Sequence, residues 1–393
     1  MQRPALPPET YGGREQAFVK HRLLESYLQK LFLIVGAGSR GKSIELCYVD
    51  CFAGPWSVDT ETLEGTSIAV SLQTLSACRH EFEKLGVRAR IRALYVEKDP
   101  QAYRRLEQHL NESTPDGIQS RCMEGDFVAL RDDILAWCGQ HAFTFFFIDP
   151  KGWKDIGVQT LRPLLQRPHS EFLINFAYMF VNRTIAAAEQ QERMFELIGR
   201  EIDLTGLAPE EREQRIVDAY RHSLKQCVPR GQQGRAAYVR VLDPNQDRPK
   251  YHLVYVTCHP RGIIEFMEIS DHVDLIQKQV RAAKRTQRRA QETGMDDMFG
   301  SETLVDPAAG HGSSEDVDRF WIDYLARGVR QVGAGEFAEI LEQTNWFPRD
   351  LQESLARLIA ANRVRNLDAL RARPKAPLHW KSNERLQLLE QPR

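Results

Sequence analysis

Apolar residues recur at helical spacing over residues 14–35, where Phe18, Leu23, Leu24, Tyr27, Leu28, Leu31 and Phe32 share one side and polar residues the other. GAGSRGKS (36–43) breaks that helix. The next run, IELCYVDCFAGPW (44–56), is apolar, rich in β formers and closed by Gly-Pro, which predicts a buried strand entering a turn. The alternation then repeats. A helix over 67–86 precedes a strand over 90–99, a helix over 100–112 leads to a short strand at 118–127, and a helix over 128–140 leads to FTFFFIDPKGW at 143–153. A further helical stretch reaches SEFLINFAYMF at 170–180. Strands alternating with helices predict an α/β fold with a doubly wound, mostly parallel sheet covered on both faces.

Residues 184–231 read as wholly helical, a helical insertion or cap carrying the acidic PEEREQ. AAYVRVL (236–242) and YHLVYVTCHP (251–260) follow, separated by the turn-rich DPNQDRPK, and predict an antiparallel pair at the end of the sheet. These elements make a first domain over 1–291. A Gly- and acid-rich stretch at 292–316 reads as a linker. Residues 317–393 then show a helix, VDRFWIDYLARGV, followed by a helix, a tight TNWFP turn and a second helix with Leu351, Leu355, Leu358 and Ile359 at helical spacing. That is a winged helix-turn-helix-like pattern.

Composition narrows the function classes. The 42% apolar and 27% charged fractions suit a globular chain with a sizeable core. Lys plus Arg (53) balance Asp plus Glu (54), so any nucleic-acid contact must come from a local patch. The Pro-rich start holds no apolar run of the signal-peptide kind, and no stretch approaches about 18 apolar residues, so a cytoplasmic chain without membrane contact is expected. The seven cysteines are odd in number and lack a CxxC pair. They read as small buried thiols in a reducing compartment, with no metal site.

The candidate chemistry lies at strand ends. Tyr48-Val49-Asp50-Cys51-Phe52-Ala53-Gly54-Pro55 closes the first strand. A cofactor there needs a turn that lets backbone approach it, and Gly54 supplies that freedom. Asp50 is placed to accept hydrogen bonds from a cofactor ammonium or an ordered water. Glu97, in YVEKD, is placed for ribose hydroxyls, and Asp126, in EGDF, stands where an acid commonly meets an adenine amine. The competing reading is that strand-end acids cap the following helices, which suits Asp99 and Asp126 in particular.

Taken in order, YVDCFAGP, GTSIAV (65–70), YVEKDP, GDF, FFIDPKGW and EFLINF resemble the three-Cys-motif partner family. The likeness covers residues 20–180 well, 184–290 poorly, and the C-terminal unit by pattern alone. It implies a Rossmann-like, class I methyltransferase fold, whose sheet usually closes with an antiparallel pair, and a C-terminal winged helix. It further implies S-adenosylmethionine held by Asp50, Phe52, Gly54, Glu97 and Asp126, with a three-Cys-motif iron–sulfur protein as partner. It names no substrate. Trp56 stands where the family pattern has a second glycine, and its ring either stacks on the cofactor or fills the pocket. Residues 57–64 separate the turn from its helix, which weakens the picture of a helix N-terminus facing an anion.

Asp149-Pro150-Lys151-Gly152-Trp153 follows the most apolar strand. In methyltransferases acting on an exocyclic amine, a (D/N)PP(Y/F) turn accepts the amine hydrogens while an aromatic ring stacks on the base. Asp149, Pro150 and Trp153 stand in similar order, although Lys151 replaces the second proline and the aromatic comes one residue late. The alternative is a plain turn with a buried Trp. Asn175 either completes that pocket or holds a neighbouring loop. Lys278, Arg281, Lys284, Arg285, Arg288 and Arg289 crowd 277–291, which is either a solvated face or a phosphate-binding one. Arg349 and Arg357 lie on the candidate recognition helix, 349–361. Two functions lead, ahead of a weaker third, another nucleotide-using α/β enzyme. One is S-adenosylmethionine-dependent methylation of a nucleic-acid amino group. The other is a non-catalytic methyltransferase-like module that binds a three-Cys-motif partner.

Overall fold

Seven strands form the main sheet: β1 (Ser43–Asp50), β2 (Arg88–Glu97), β3 (Ile118–Glu124), β4 (Phe143–Ile148), β5 (Ser170–Phe176), β6 (Arg235–Leu242) and β7 (Pro249–Thr257). The computed structural model describes residues 7–8, 11–39, 41–54, 63, 65–178, 190–243, 246, 248–293, 312–371 and 373–389. Strand order is β3-β2-β1-β4-β5-β7-β6. Strands β1 to β5 pair in parallel, and β7 runs antiparallel to both β5 and β6. This is the expected doubly wound, mostly parallel Rossmann-like sheet, closed by an antiparallel pair.

Both faces are covered, as the apolar strands require. Tyr48, Phe145 and Phe147 face α1 (Glu15–Ala37), α2 (Ser67–Leu85), α3 (Pro100–Ser113) and the start of α8 (Pro260–Thr293). Val49, Phe146 and Ile148 face α4 (Arg131–Cys138), α5 (Val158–Leu165), α6 (Gln190–Ile198) and α7 (Pro209–Lys225). The Thr66 hydroxyl caps α2 through the Ala69 N–H, and Asp99 caps α3 through Gln101 and Ala102, with Pro100 in the first turn. Helix α1 is pinned to the sheet where Tyr27 donates to buried Glu171 of β5 (3.1 Å), which also accepts from Tyr255 (2.6 Å) and Thr257 (2.9 Å).

Two expectations change. Residues 190–231 are not wholly helical: α6 and α7 are separated by irregular backbone at 199–208, and turns follow α7. Helix α7 buries Ile216, Val217, Tyr220 and Leu224 against the sheet. It is the crossover that lets β6 run in the direction of β5, rather than an insertion. Residues 184–189 lie outside the described residues. The basic stretch at 277–291 is the second half of α8, a single helix of 34 residues.

The C-terminal unit runs α9 (Ser314–Leu325), β8 (Arg330–Val332), α10 (Ala334–Thr344), α11 (Pro348–Ala360), β9 (Val364–Asn366) and β10 (Glu384–Leu388). Its antiparallel sheet is ordered β8-β10-β9. The TNWFP turn works as its residues allow: Asn345 takes the left-handed cap at φ 55°, and Pro348 opens α11. Buried Trp321 donates its indole N–H to Leu351 O (3.1 Å).

This unit is fastened to the main sheet by charge as well as apolar packing. Glu342 of α10 is buried, pairing with Arg235 (2.9 Å) and Lys225 (2.9 Å) while accepting the Ala236 N–H of edge strand β6 (2.8 Å). Arg221 of α7 reaches Glu342 O (2.8 Å) and also bonds Ala236 O. Trp321, Phe337 and Leu355 belong to the same continuous core as α1 and α8. The expected linker falls largely at 294–311, outside the described residues.

Candidate functional site

In a doubly wound sheet the carboxyl ends of the parallel strands form the binding edge. Here β1, β2, β4 and β5 bring Asp50, Glu97, Asp149 and Asn175 to that edge. The turns are stitched to neighbouring strands: Cys51 N–H donates to Phe147 O (3.0 Å), Ala53 N–H to Val96 O (2.8 Å), and Gly125 N–H to Glu97 O (3.0 Å).

Asp50 is fully buried, its carboxylate accepting from the Phe52 N–H (3.1 Å) and from Ser67 at the start of α2 (2.6 Å). Burial pushes its pKa up to about 6. The two hydrogen bonds pull it down, the nearby Asp149 carboxylate pushes it up, and Lys20 pulls it down. Asp50 therefore shapes the turn from Phe52 onward as well as facing Asp149. Gly54 ends the described part of that turn, and Pro55, Trp56 and most of 57–64 lie outside the described residues.

Glu97 is buried, with one oxygen accepting the Asp99 N–H (2.7 Å). Its second oxygen has no hydrogen-bond partner among the described residues. Asp99, rather than Glu97, is the helix cap. Asp126 is exposed and accepts the Val128 N–H (2.9 Å), a local turn bond that does not cap α4. Phe52 packs on buried Phe127 with ring centroids 5.0 Å apart, joining the turns after β1 and β3. An edge with a buried carboxylate and an aromatic pair beside it is chemically suited to a ribose and a base.

At the end of β4, Asp149 is held on both sides. Lys20 of α1 forms an ion pair with one oxygen, and the Asn175 amide donates to the other (2.5 Å). Pro150 is buried, and Trp153 packs partly buried against the core on the α5 side. Lys20 was not a candidate from the sequence. Its signal was there: it lies four, seven and eleven residues before Leu24, Tyr27 and Leu31, so a lone cation occupies the buried stripe of α1.

The basic candidates are largely engaged within the chain. Lys278 pairs with Asp274 (2.9 Å), Lys284 with Glu15 (2.8 Å), and Arg281 donates to Gln246 O (3.1 Å). This part of α8 buries Gln277 and Val280, the latter with Tyr11 and Phe18, so it has an inward face as well as a basic one. Arg285 is exposed, and the side chains of Arg288 and Arg289 lie outside the described residues. Arg349 bonds Asp271 of α8 (2.8 Å), and Arg357 bonds Asp318 of α9 (2.7 Å).

GAGSRGKS at 36–43 has the spacing of a GxxxxGK[ST] phosphate loop. Its surroundings do not fit. It leaves helix α1 and enters strand β1, the reverse of the strand–loop–helix order, and it lies at the opposite end of β1 from Asp50. The cysteines are free, five of them buried, and burial raises the thiol pKa of Cys51 and Cys78. Among the described residues no His/Cys/Asp/Glu cluster suits a metal, and no helix is long and apolar enough to cross a membrane.

No family model and no curated protein matches the chain. Among solved structures it is similar to the putative methyltransferase yhhF from Escherichia coli, at 13% identity and TM-score 0.25, over 54% of this chain and 75% of that one. Another is M. jannaschii TYW2 in complex with AdoMet, at 13% identity and TM-score 0.27, over 58% and 72%. A third is Sp1610 from Streptococcus pneumoniae, a putative tRNA (m1A22) methyltransferase, at 13% identity and TM-score 0.26, over 70% and 94%.

Proposed function

We propose that the chain is an S-adenosylmethionine-dependent methyltransferase acting on a nucleic-acid amino group. The observation that carries this reading is the pair of buried carboxylates, Asp50 and Glu97, at the adjacent ends of β1 and β2 in a sheet whose β7 alone is reversed. Glu97 is the residue for the ribose hydroxyls, through its second oxygen. Asp50 fixes the Phe52 turn and offers negative charge to the cofactor's ammonium, while Phe52 and Phe127 supply the apolar wall for the base. The cofactor would bring a sulfonium methyl group. The chain's part is to hold the acceptor nitrogen in line with it near Asp149 and Asn175.

The order helix–strand–helix–helix–strand–strand supports reading the C-terminal unit, 317–393, as a winged helix. Its nucleic-acid contact does not rest on Arg349 and Arg357, which are paired internally. The segment 363–381 carries six Lys or Arg residues against one Asp, which makes it the favoured phosphate-binding element. Arg365, Arg371, Lys375 and Lys381 are exposed there, and none forms an ion pair with a described residue. Replacing those four by Gln is expected to weaken RNA or DNA binding and to flatten log Kd against log salt by roughly 2 to 4 units. An unchanged slope in a fluorescence-anisotropy titration would remove the segment from the interface.

The activity itself is tested by incubating the full chain with methyl-labelled S-adenosylmethionine and, separately, total RNA, DNA and protein. Label in nucleic acid, lost in Glu97→Ala, supports the reading. Label confined to protein would overturn its substrate half.

A further inference from the structure

Asn175 is 7% exposed, and its two amide atoms face different fates. The amide nitrogen donates to Asp149 Oδ1 (2.5 Å). That leaves Asn175 Oδ1 turned away from Asp149, buried and without a hydrogen-bond partner among the described residues. A buried acceptor left unpaired is costly, so such an atom calls for a donor. The neighbouring carboxylate does not compete for that donor in the usual way. Asp149 has one oxygen on Asn175 and the other on Lys20, whose α1 is fastened to β5 and β7 through Tyr27 and Glu171. Lys20 gives one of its three N–H groups to Asp149 and keeps donors for an acceptor beside the first group.

We propose that Asn175 Oδ1, not Asp149, accepts an N–H hydrogen of the substrate, and that the occupant is a nucleobase bearing an exocyclic amine next to a ring nitrogen, as in adenine or cytosine. The amine donates to Asn175 and the ring nitrogen accepts from Lys20. Asp149 becomes a positioning residue that orients both. This rests on the methyltransferase reading for its context, but the recognition it describes is a property of the apo chain as well.

The test is a calorimetric titration of the full chain, with and without saturating S-adenosylhomocysteine. The probes are adenosine, cytidine, purine ribonucleoside and pyrimidin-2-one ribonucleoside, the last two lacking the exocyclic amine. The expected result is that at least one amino nucleoside binds about tenfold or more tighter than its counterpart without the amine. In Asn175→Ala that ratio falls to near one. If the alanine variant does not fold, Asn175→Leu, which keeps the branching of asparagine at Cγ, gives the same readout. Lys20→Met is expected to weaken all the ring-nitrogen-bearing probes alike while keeping the preference for the amine. Equal binding of the paired nucleosides by the unmodified chain, binding of none of them, or a preference that survives loss of the Asn175 amide would each overturn the proposal. A preference for the amine in a chain that ignores S-adenosylhomocysteine would uphold Asn175 while removing the cofactor reading.

Discussion

Glu342→Ala is expected to lower the stability of the full chain by about 3–5 kcal/mol, the cost of stripping one partner from a buried charge cluster. The carboxylate faces Arg235, itself buried, and Lys225, and it takes the Ala236 N–H of the edge strand. Its removal leaves the Arg235 guanidinium in low dielectric with no anion, and one backbone donor unpaired. The C-terminal unit shares an apolar core with α1 and α8 and would therefore remain in contact with the sheet, but less firmly held. Urea denaturation followed by both tryptophan fluorescence and circular dichroism measures this. A fall of that size, with the two probes ceasing to coincide, is the expected outcome. A change below about 1 kcal/mol would mean that the cluster behaves like an exposed ion pair.

Asp50→Ala is expected to reduce cofactor affinity more than about 100-fold while leaving the chain folded. The variant leaves the Phe52 N–H and the Ser67 hydroxyl without their acceptor, so the turn that must approach the cofactor loses its shape. Stability is partly protected because the ionised carboxylate is itself costly. Its folded pKa of about 6 lies above the usual value of 3.8, so the stabilising effect of holding the proton is fully present below pH 3.8 and is lost as pH rises through 6. Asp50→Asn removes that dependence. Its stability relative to the unmodified chain is expected to improve between pH 4 and 6 by an amount on the order of 2–3 kcal/mol, then stay level. Cofactor affinity moves the other way. A bound cation favours ionised Asp50, so affinity falls about tenfold per pH unit below 6. A flat affinity profile from pH 5 to 7 would show that Asp50 does not sense the cofactor's charge.

Much of the fold was written in local pattern. FTFFFI announced a strand buried on both faces, and TNWFP announced a turn, because Asn tolerates a left-handed cap and Pro suits a first helical turn. The carboxylates were legible because strand ends in a doubly wound sheet meet at one edge. What escaped notice was set by distant partners. Lys284 finds Glu15 across 269 positions and Arg349 finds Asp271 across 78, so charges that read as free in the local sequence are paired in the fold. Helix α7 looked like an insertion because an amphipathic crossover and an amphipathic cap have the same pattern. Lys20 is a cation on the buried stripe of α1, and its use shows only once β4 brings Asp149 to it.

The most direct test of the central claim is a calorimetric titration of the full chain with S-adenosylmethionine and S-adenosylhomocysteine, repeated on Glu97→Ala. Binding of both at one site per chain in the micromolar range, weakened about tenfold or more by loss of Glu97, is the predicted result. No heat from either ligand in a folded chain, or an affinity that Glu97→Ala leaves unchanged, would contradict the assignment of the β1–β2 edge as the cofactor site.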